Sequence, residues 1–138
     1  MGASEKYVES SISTQERGKL VVMLYEGAIK FLKVARHKLQ EEDYVAKGIY
    51  IGKAQDIVAE LNSSLDMTND LQIAQDLRAL YNFLYGHLNE ANIQRDPVKI
   101  SECIGILSEL LEAWQEVAEG RGSAATGEVS VGGEGFQA

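Results

Sequence analysis

The residues of this chain whose types could do chemistry are few: two histidines, His37 and His87, one cysteine, Cys103, and 21 carboxylates. A metal centre inside a helical bundle needs carboxylates together with Glu-x-x-His pairs projecting inward. No Glu-x-x-His occurs, and His87 to Glu90 runs in the reverse order, with Glu90 off the apolar stripe of its helix. Both histidines are expected at the surface or its boundary, and no metal site is expected. Cys103 falls near the apolar face of a helix, where a small buried thiol behaves as a hydrophobe. A lone cysteine provides no internal disulfide framework and fits a reducing compartment. No Ser/His/Asp set, glycine-rich phosphate loop or dinucleotide fingerprint can be assembled. The reading is therefore of a protein that is not an enzyme and needs no cofactor.

Four helical patterns must position whatever function there is. The first, from about Arg17 to Gln40, has a polar face of Lys19, Glu26, Lys30, Lys33, His37 and Gln40. Its apolar stripe reads Leu20, Leu24, Ala28, Phe31, Ala35 and Leu39, flanked by Val21, Tyr25 and Leu32. The second runs from about Asp43 to Leu65, with Tyr50, Ala54, Ile57, Leu61 and Leu65 on one line and Ile51 and Val58 beside it. The third, about Asp70 to Gln94, carries Ile73, Leu77, Leu80, Tyr81, Leu84, Leu88 and Ala91. The fourth opens with Asp96 as a cap and Pro97 at the first helical position, where a missing N–H costs nothing. It runs to about Glu119, with Ile100, Ile104, Leu107, Leu111 and Trp114 facing one way and Glu102, Glu109, Glu112 and Glu116 the other.

Four such helices with short links predict an all-α fold, an antiparallel four-helix bundle over residues 17–119. Residues 1–16 read as an irregular N-terminal segment anchored by Tyr7 and Ile12. Residues 120–138 hold six of the 13 glycines and read as a flexible, disordered Gly-rich tail. The net charge of −8 argues against a nucleic-acid surface. No apolar run approaches the roughly 18 residues of a membrane span, and the first residues lack the pattern of a secretory signal. The expected location is cytoplasmic.

The apolar residues exceed what one core needs. A bundle helix turns about three-sevenths of its circumference inward, but Leu20 to Tyr25 are apolar on all sides, as are most of Ile49 to Ile51 and Leu80 to Tyr85. A generous core with scattered surface hydrophobes accounts for some of this. A groove left apolar for a partner segment, or for a second copy, accounts for it too. Gly27, Gly48, Gly52, Gly86 and Gly105 each cost a helix about 0.5–1 kcal/mol relative to alanine. They suggest close helix approach or room for a ligand backbone.

The segment "LVVMLYEGAIKFL" resembles the first-helix signature of the flagellar secretion chaperones. "GKAQDIVAELNSSLD", "IAQDLRALYNFLYGHLNEANIQRD" and "LLEAWQEV" are similar to the family's later blocks and follow in family order, from about Tyr7 to Ala118. The chain departs where the family commonly starts helix one with Ser or Asp before Pro; here stand Glu16 and Arg17, leaving Thr14 to cap or the start to fray.

The resemblance implies a bundle that binds the disordered C-terminal region of flagellin, prevents its premature polymerisation and keeps it competent for export. It implies that an N-terminal segment with a tyrosine like Tyr7 covers the apolar surface when no client is bound. Together with the apolar excess it nominates Tyr25, Ile29, Ile57, Leu61, Tyr81 and Leu84 as groove wall. Asn92 is nominated to bond client backbone, and Tyr7 and Ile12 to form the cover. Further partners would be a co-chaperone, an assembly regulator or a component of the export gate. The chain is expected as a monomer or weak homodimer. The alternative is a self-associating structural bundle.

Overall fold

A computed structural model describes residues 14–120 as four helices: α1 (Thr14–Gln40), α2 (Tyr44–Ser63), α3 (Leu71–Gln94) and α4 (Pro97–Ala118). The expectations for Tyr7, Ile12 and the glycine-rich tail lie outside these residues. The helices run up and down in chain order. Each packs on its neighbours, and α4 closes back onto α1, so that α1 has the most extensive contacts. This is the antiparallel four-helix bundle that the periodicity predicts.

The links are short because the chain turns with left-handed residues and caps at once. After α1, Glu42 takes φ 61° and Asp43 N–H bonds back to the Lys38 carbonyl at 2.9 Å. This satisfies a carbonyl that the helix end leaves open. Asp43 then caps α2 by accepting from Ala46 N–H at 3.1 Å. The α3–α4 link repeats the device: Arg95 has φ 54°, Asp96 N–H bonds to the Ala91 carbonyl, and Asp96 caps α4 through Val98 N–H. The α2–α3 link is longer. Asp66 accepts from both the N–H and the hydroxyl of Thr68, bonds that hold its carboxyl below the usual range. Asp70 caps α3 by accepting from Ile73 N–H.

The first two helices sit rotated from the expected orientation. The buried line of α1 is Tyr25, Ala28, Ile29, Leu32, Ala35 and Leu39. Leu20, expected inside, is 56% exposed, and Leu24 and Phe31 are half-buried. In α2 the buried line is Lys47, Ile51, Ala54, Val58 and Leu61, while Tyr50, Ile57 and Leu65 are half-buried. The reason is that α1 touches helices on two sides, so its buried arc is centred between two apolar stripes and not on either one. The expectations for α3 and α4 hold better: Tyr81, Leu84, Leu88 and Ala91 are buried, as are Ile100, Cys103, Ile104 and Leu107. In those helices one apolar stripe dominates.

The closest approach lies at a glycine that the sequence reading passed over. A Cβ at Gly18 would sit 3.0 Å from Val117 Cγ1 and 3.2 Å from Ala118 N, so the start of α1 lies hard against the end of α4. At Gly27 the neighbour is only the tip of Ile57, at 3.3 Å, and at Gly48 it is the Asn92 amide at ordinary contact. Gly52, Gly86 and Gly105 have nothing within 4 Å. Close backbone approach is therefore not their reason.

Candidate partner-binding site

Leu20, Leu24, Gly27 and Phe31 recur at helical spacing and form one line along α1. That line meets α2. Ile57 fits over Gly27, and the Phe31 and Tyr50 rings lie 6.0 Å apart at 40°. Lys53 sits 5.8 Å over the Phe31 ring, a cation at the edge of an apolar strip. The seam is partly open: its middle residues are half-buried, Leu20 is 56% exposed and the adjacent Met23 66%. The sequence signal for it is the run of apolar residues on all sides from Leu20 to Tyr25.

The α2–α3 seam is of a different kind. Asn62 bonds Asn82 at 2.9 Å, and Gln55 reaches the Tyr85 backbone carbonyl at 3.1 Å. Val58, Asn62, Arg78, Tyr81, Asn82 and Tyr85 line a depression of about 240 Å³ there. Phe83 and Tyr85 project from α3, Phe83 stacking on His87 at 4.8 Å, and His87 pairs with Glu102 of α4 at 2.7 Å. Apolar rings and amides with spare hydrogen-bonding capacity suit a partner that presents backbone as well as side chains.

Beneath the seams, polar groups cross the bundle. The Tyr25 and Tyr81 hydroxyls lie 2.6 Å apart in the core, joining α1 to the diagonally opposite α3. Burial pushes the Tyr25 hydroxyl well above its ordinary pKa; the Tyr81 partner adds to the rise and a hydrogen bond from Trp114 opposes it. Burial likewise raises Tyr81, to about 12. Cys103 is fully buried, and burial, then the nearby Glu102, pushes its thiol up to about 12. It is an inert thiol under ordinary conditions. Lys47, only 5% exposed, donates to both the backbone carbonyl and the side-chain oxygen of Asn92. Burial first, and then the positive Arg95, lower its pKa. Arg95 in turn stacks 3.7 Å from the Tyr44 ring. The one sequence signal for a buried Lys47 is its place on the apolar line of α2, four residues before Ile51.

The nominated site residues divide. Tyr25, Ile29, Leu61, Tyr81 and Leu84 are buried in the core. Ile57 stands in the α1–α2 seam, and Asn92 is half-buried with its oxygens held by Lys47. The structure thus brings five of the seven together as one interior cluster beneath the seams, with Ile57 above them and Asn92 toward one end of the bundle. Phe31 and Tyr50, expected on core-facing stripes, are half-buried at the seam, while exposed Met23 lies in the apolar run that marked the surplus.

A four-helix bundle with partly open apolar seams belongs to the all-α helical-bundle class, an architecture able to hold another chain. The chain belongs to the flagellar protein FliS family, whose model matches residues 1–121. It is 36% identical over 112 residues to the flagellar secretion chaperone FliS of Salmonella typhimurium, covering 80% of this chain and 83% of that one. It is 34% identical over 110 residues to the FliS of Vibrio cholerae, covering 80% and 81%. With the FliS of Bacillus subtilis it shares 30% identity over 113 residues, 82% and 84% of the two chains. Membership supports a chaperone role in flagellar export. No described helix is long and apolar enough to cross a membrane, and no three His, Cys, Asp or Glu side chains converge among the described residues.

Proposed function

We propose that this chain is a cytoplasmic, non-enzymatic export chaperone that holds the disordered C-terminal region of flagellin along its apolar seams. In this reading the client's own apolar stripes are buried on the chaperone, so they cannot pack with other flagellin chains before export. The observation that carries the proposal is the partly open α1–α2 seam, with Leu20 left 56% exposed in a helix whose core line lies elsewhere. A disordered client loses roughly 2–5 kcal/mol to ordering when it binds. At about 25 cal/mol per Å², some 200 Å² of apolar burial offsets that ordering cost. The cost of association comes on top, which favours a long seam over a single pocket.

The nominated residues take graded roles in this reading. Ile57, with Leu20, Leu24 and Phe31, forms the wall that meets the client. Tyr25, Ile29, Leu61, Tyr81 and Leu84 form the floor that holds the wall in place. The Asn92 oxygens are taken by Lys47, which leaves its amide N–H₂ to donate to client backbone. Tyr7 and Ile12 precede Leu20 closely enough in the chain to cover the seam when it is empty.

Substituting Leu20→Asp and Met23→Asp tests the assignment, because both side chains are more than half exposed and the fold does not depend on them. The double variant is expected to keep its helical circular dichroism and melting temperature. Its affinity for a flagellin C-terminal peptide is expected to fall at least about ten-fold, the loss of one or two buried apolar side chains. Unchanged affinity would move the client off this seam.

A further inference from the structure

The charge of the chain is unevenly placed. Helix α1 carries six Lys or Arg against two Glu, a net +4, in a chain whose total is −8. Part of that charge is engaged locally: Lys38 lies 3.6 Å from Glu41, and Arg36 donates a hydrogen bond to the Ser101 hydroxyl at 3.0 Å. Lys30 and Lys33 are exposed and have no ion-pair partner among the described residues. Both stand over an open apolar groove of about 530 Å³, lined by Ile29, Lys30, Lys33, Val34 and His37 of α1 and Leu111 of α4. Glu26 at its end is the one carboxylate in that lining. This groove runs from Leu111 of α4 across the exposed face of α1 to Val34, which follows Phe31 by three residues and so continues the Leu20, Leu24, Gly27 and Phe31 line.

The last described residue lies beside the start of α1, about 16 Å along the helix from Glu26, the first residue of the groove. Gly120 follows α4 with φ +80°, and a Cβ there would sit 3.4 Å from Gln15 at the start of α1. The chain therefore leaves the bundle where α1 begins. From Gln15 to Lys30 or Lys33 along α1 is about 22–27 Å at 1.5 Å per residue. The eight residues from Arg121 to Glu128 span at most about 26–29 Å. Glu128 can thus reach Lys30, and Lys33 only with the segment fully extended; Glu134, six residues on, has the length to reach Lys33. The sequence that follows, "EVSVGGEGF" from Glu128 to Phe136, interleaves two carboxylates with Val129, Val131 and Phe136. Those nine residues offer two carboxylates six positions apart and three large apolar side chains, with Ser130 and three glycines among them, to a groove lined by two lysines and apolar groups. These residues also lie beyond the part of the chain that matches the family model, which stops at 121.

We propose that the α1–α4 groove is a docking site for the chain's own residues 128–136, with Glu128 and Glu134 against Lys30 and Lys33, and Val129 and Val131 against Ile29, Val34 and Leu111.

Carbodiimide crosslinking of the full chain tests it, since that reagent joins a carboxylate to an amine in direct contact. Mass spectrometry of the monomer band is expected to find Lys30 or Lys33 linked to Glu128 or Glu134. The variant Val129→Ser/Val131→Ser keeps every reacting group and cannot unfold the bundle. Its link yield is expected to fall about ten-fold, as removal of two valine contacts predicts. Absence of these links from the wild-type monomer would overturn the proposal. Links confined to the dimer band would assign the groove to a second copy instead. Equal yield in the serine variant would reduce the links to chance encounters and overturn it as well.

Discussion

The hydroxyls of Tyr25 and Tyr81 meet at 2.6 Å between helices that are not neighbours in the bundle. Two polar groups in an apolar interior are tolerable because each satisfies the other; removing one strands its partner at a cost of about 1–3 kcal/mol. Tyr25→Phe is therefore expected to lower stability to urea by about that amount. Tyr25→Phe/Tyr81→Phe should cost less than the sum of the two single changes, as read from a double-mutant cycle of denaturation midpoints. The same pair sets an alkaline limit. Both folded pKa values lie above the ordinary 10, so between pH 10 and about 12 the unfolded chain has released protons that the folded chain keeps. Stability is then full below pH 10 and falls as pH rises through that window. Absorbance of tyrosinate against pH, with circular dichroism in parallel, is expected to show two of the six tyrosines ionising only as the helices are lost. Little of this was legible beforehand. Helical spacing put Tyr81 on an apolar stripe and Tyr25 beside one. Only three-dimensional register, which no local pattern encodes, brings residues 56 positions apart into one hydrogen bond.

Element by element, the sequence was most readable where a single rule decides. Asp96 with Pro97 announces a helix start, and α4 begins at Pro97 with Asp96 as its cap. The existence of four helices and their order followed from apolar periodicity in the same way. Which arc of α1 is buried did not, because two apolar stripes compete and the neighbours on either side settle it. Glycines were least legible, since a sequence shows their cost and not their surroundings. Gly18 is where α1 and α4 nearly touch, whereas Gly105 faces open space. Gly105→Ala is expected to stabilise the protein by about 0.5–1 kcal/mol through helix propensity alone. Gly18→Ala should destabilise it despite the same propensity gain, because the new methyl meets the α4 backbone at 3.2–3.3 Å. Thermal melts of the two variants, moving in opposite directions from wild type, check this.

At the scale of the whole molecule, the bundle divides its apolar surface into a core and seams. The core, from Leu32 through Val58 and Leu88 to Leu107, closes completely. The α1–α2 seam stays partly open, with Leu20 and Met23 at its outer end. A chain optimised only for its own stability would have no use for such residues, and in the function proposed above they meet the client. That the bundle exposes surplus apolar surface was visible in the sequence, in the run from Leu20 to Tyr25. Which residues line the open part was not, because five of the seven nominated are buried in the core. The measurement that tests the central claim most directly is calorimetric titration of the full chain with the C-terminal region of flagellin from the same organism. The account predicts saturable binding at micromolar concentrations or tighter, with the negative heat-capacity change that marks apolar burial. A folded, monomeric protein that gives no binding heat in that range at several temperatures would contradict it.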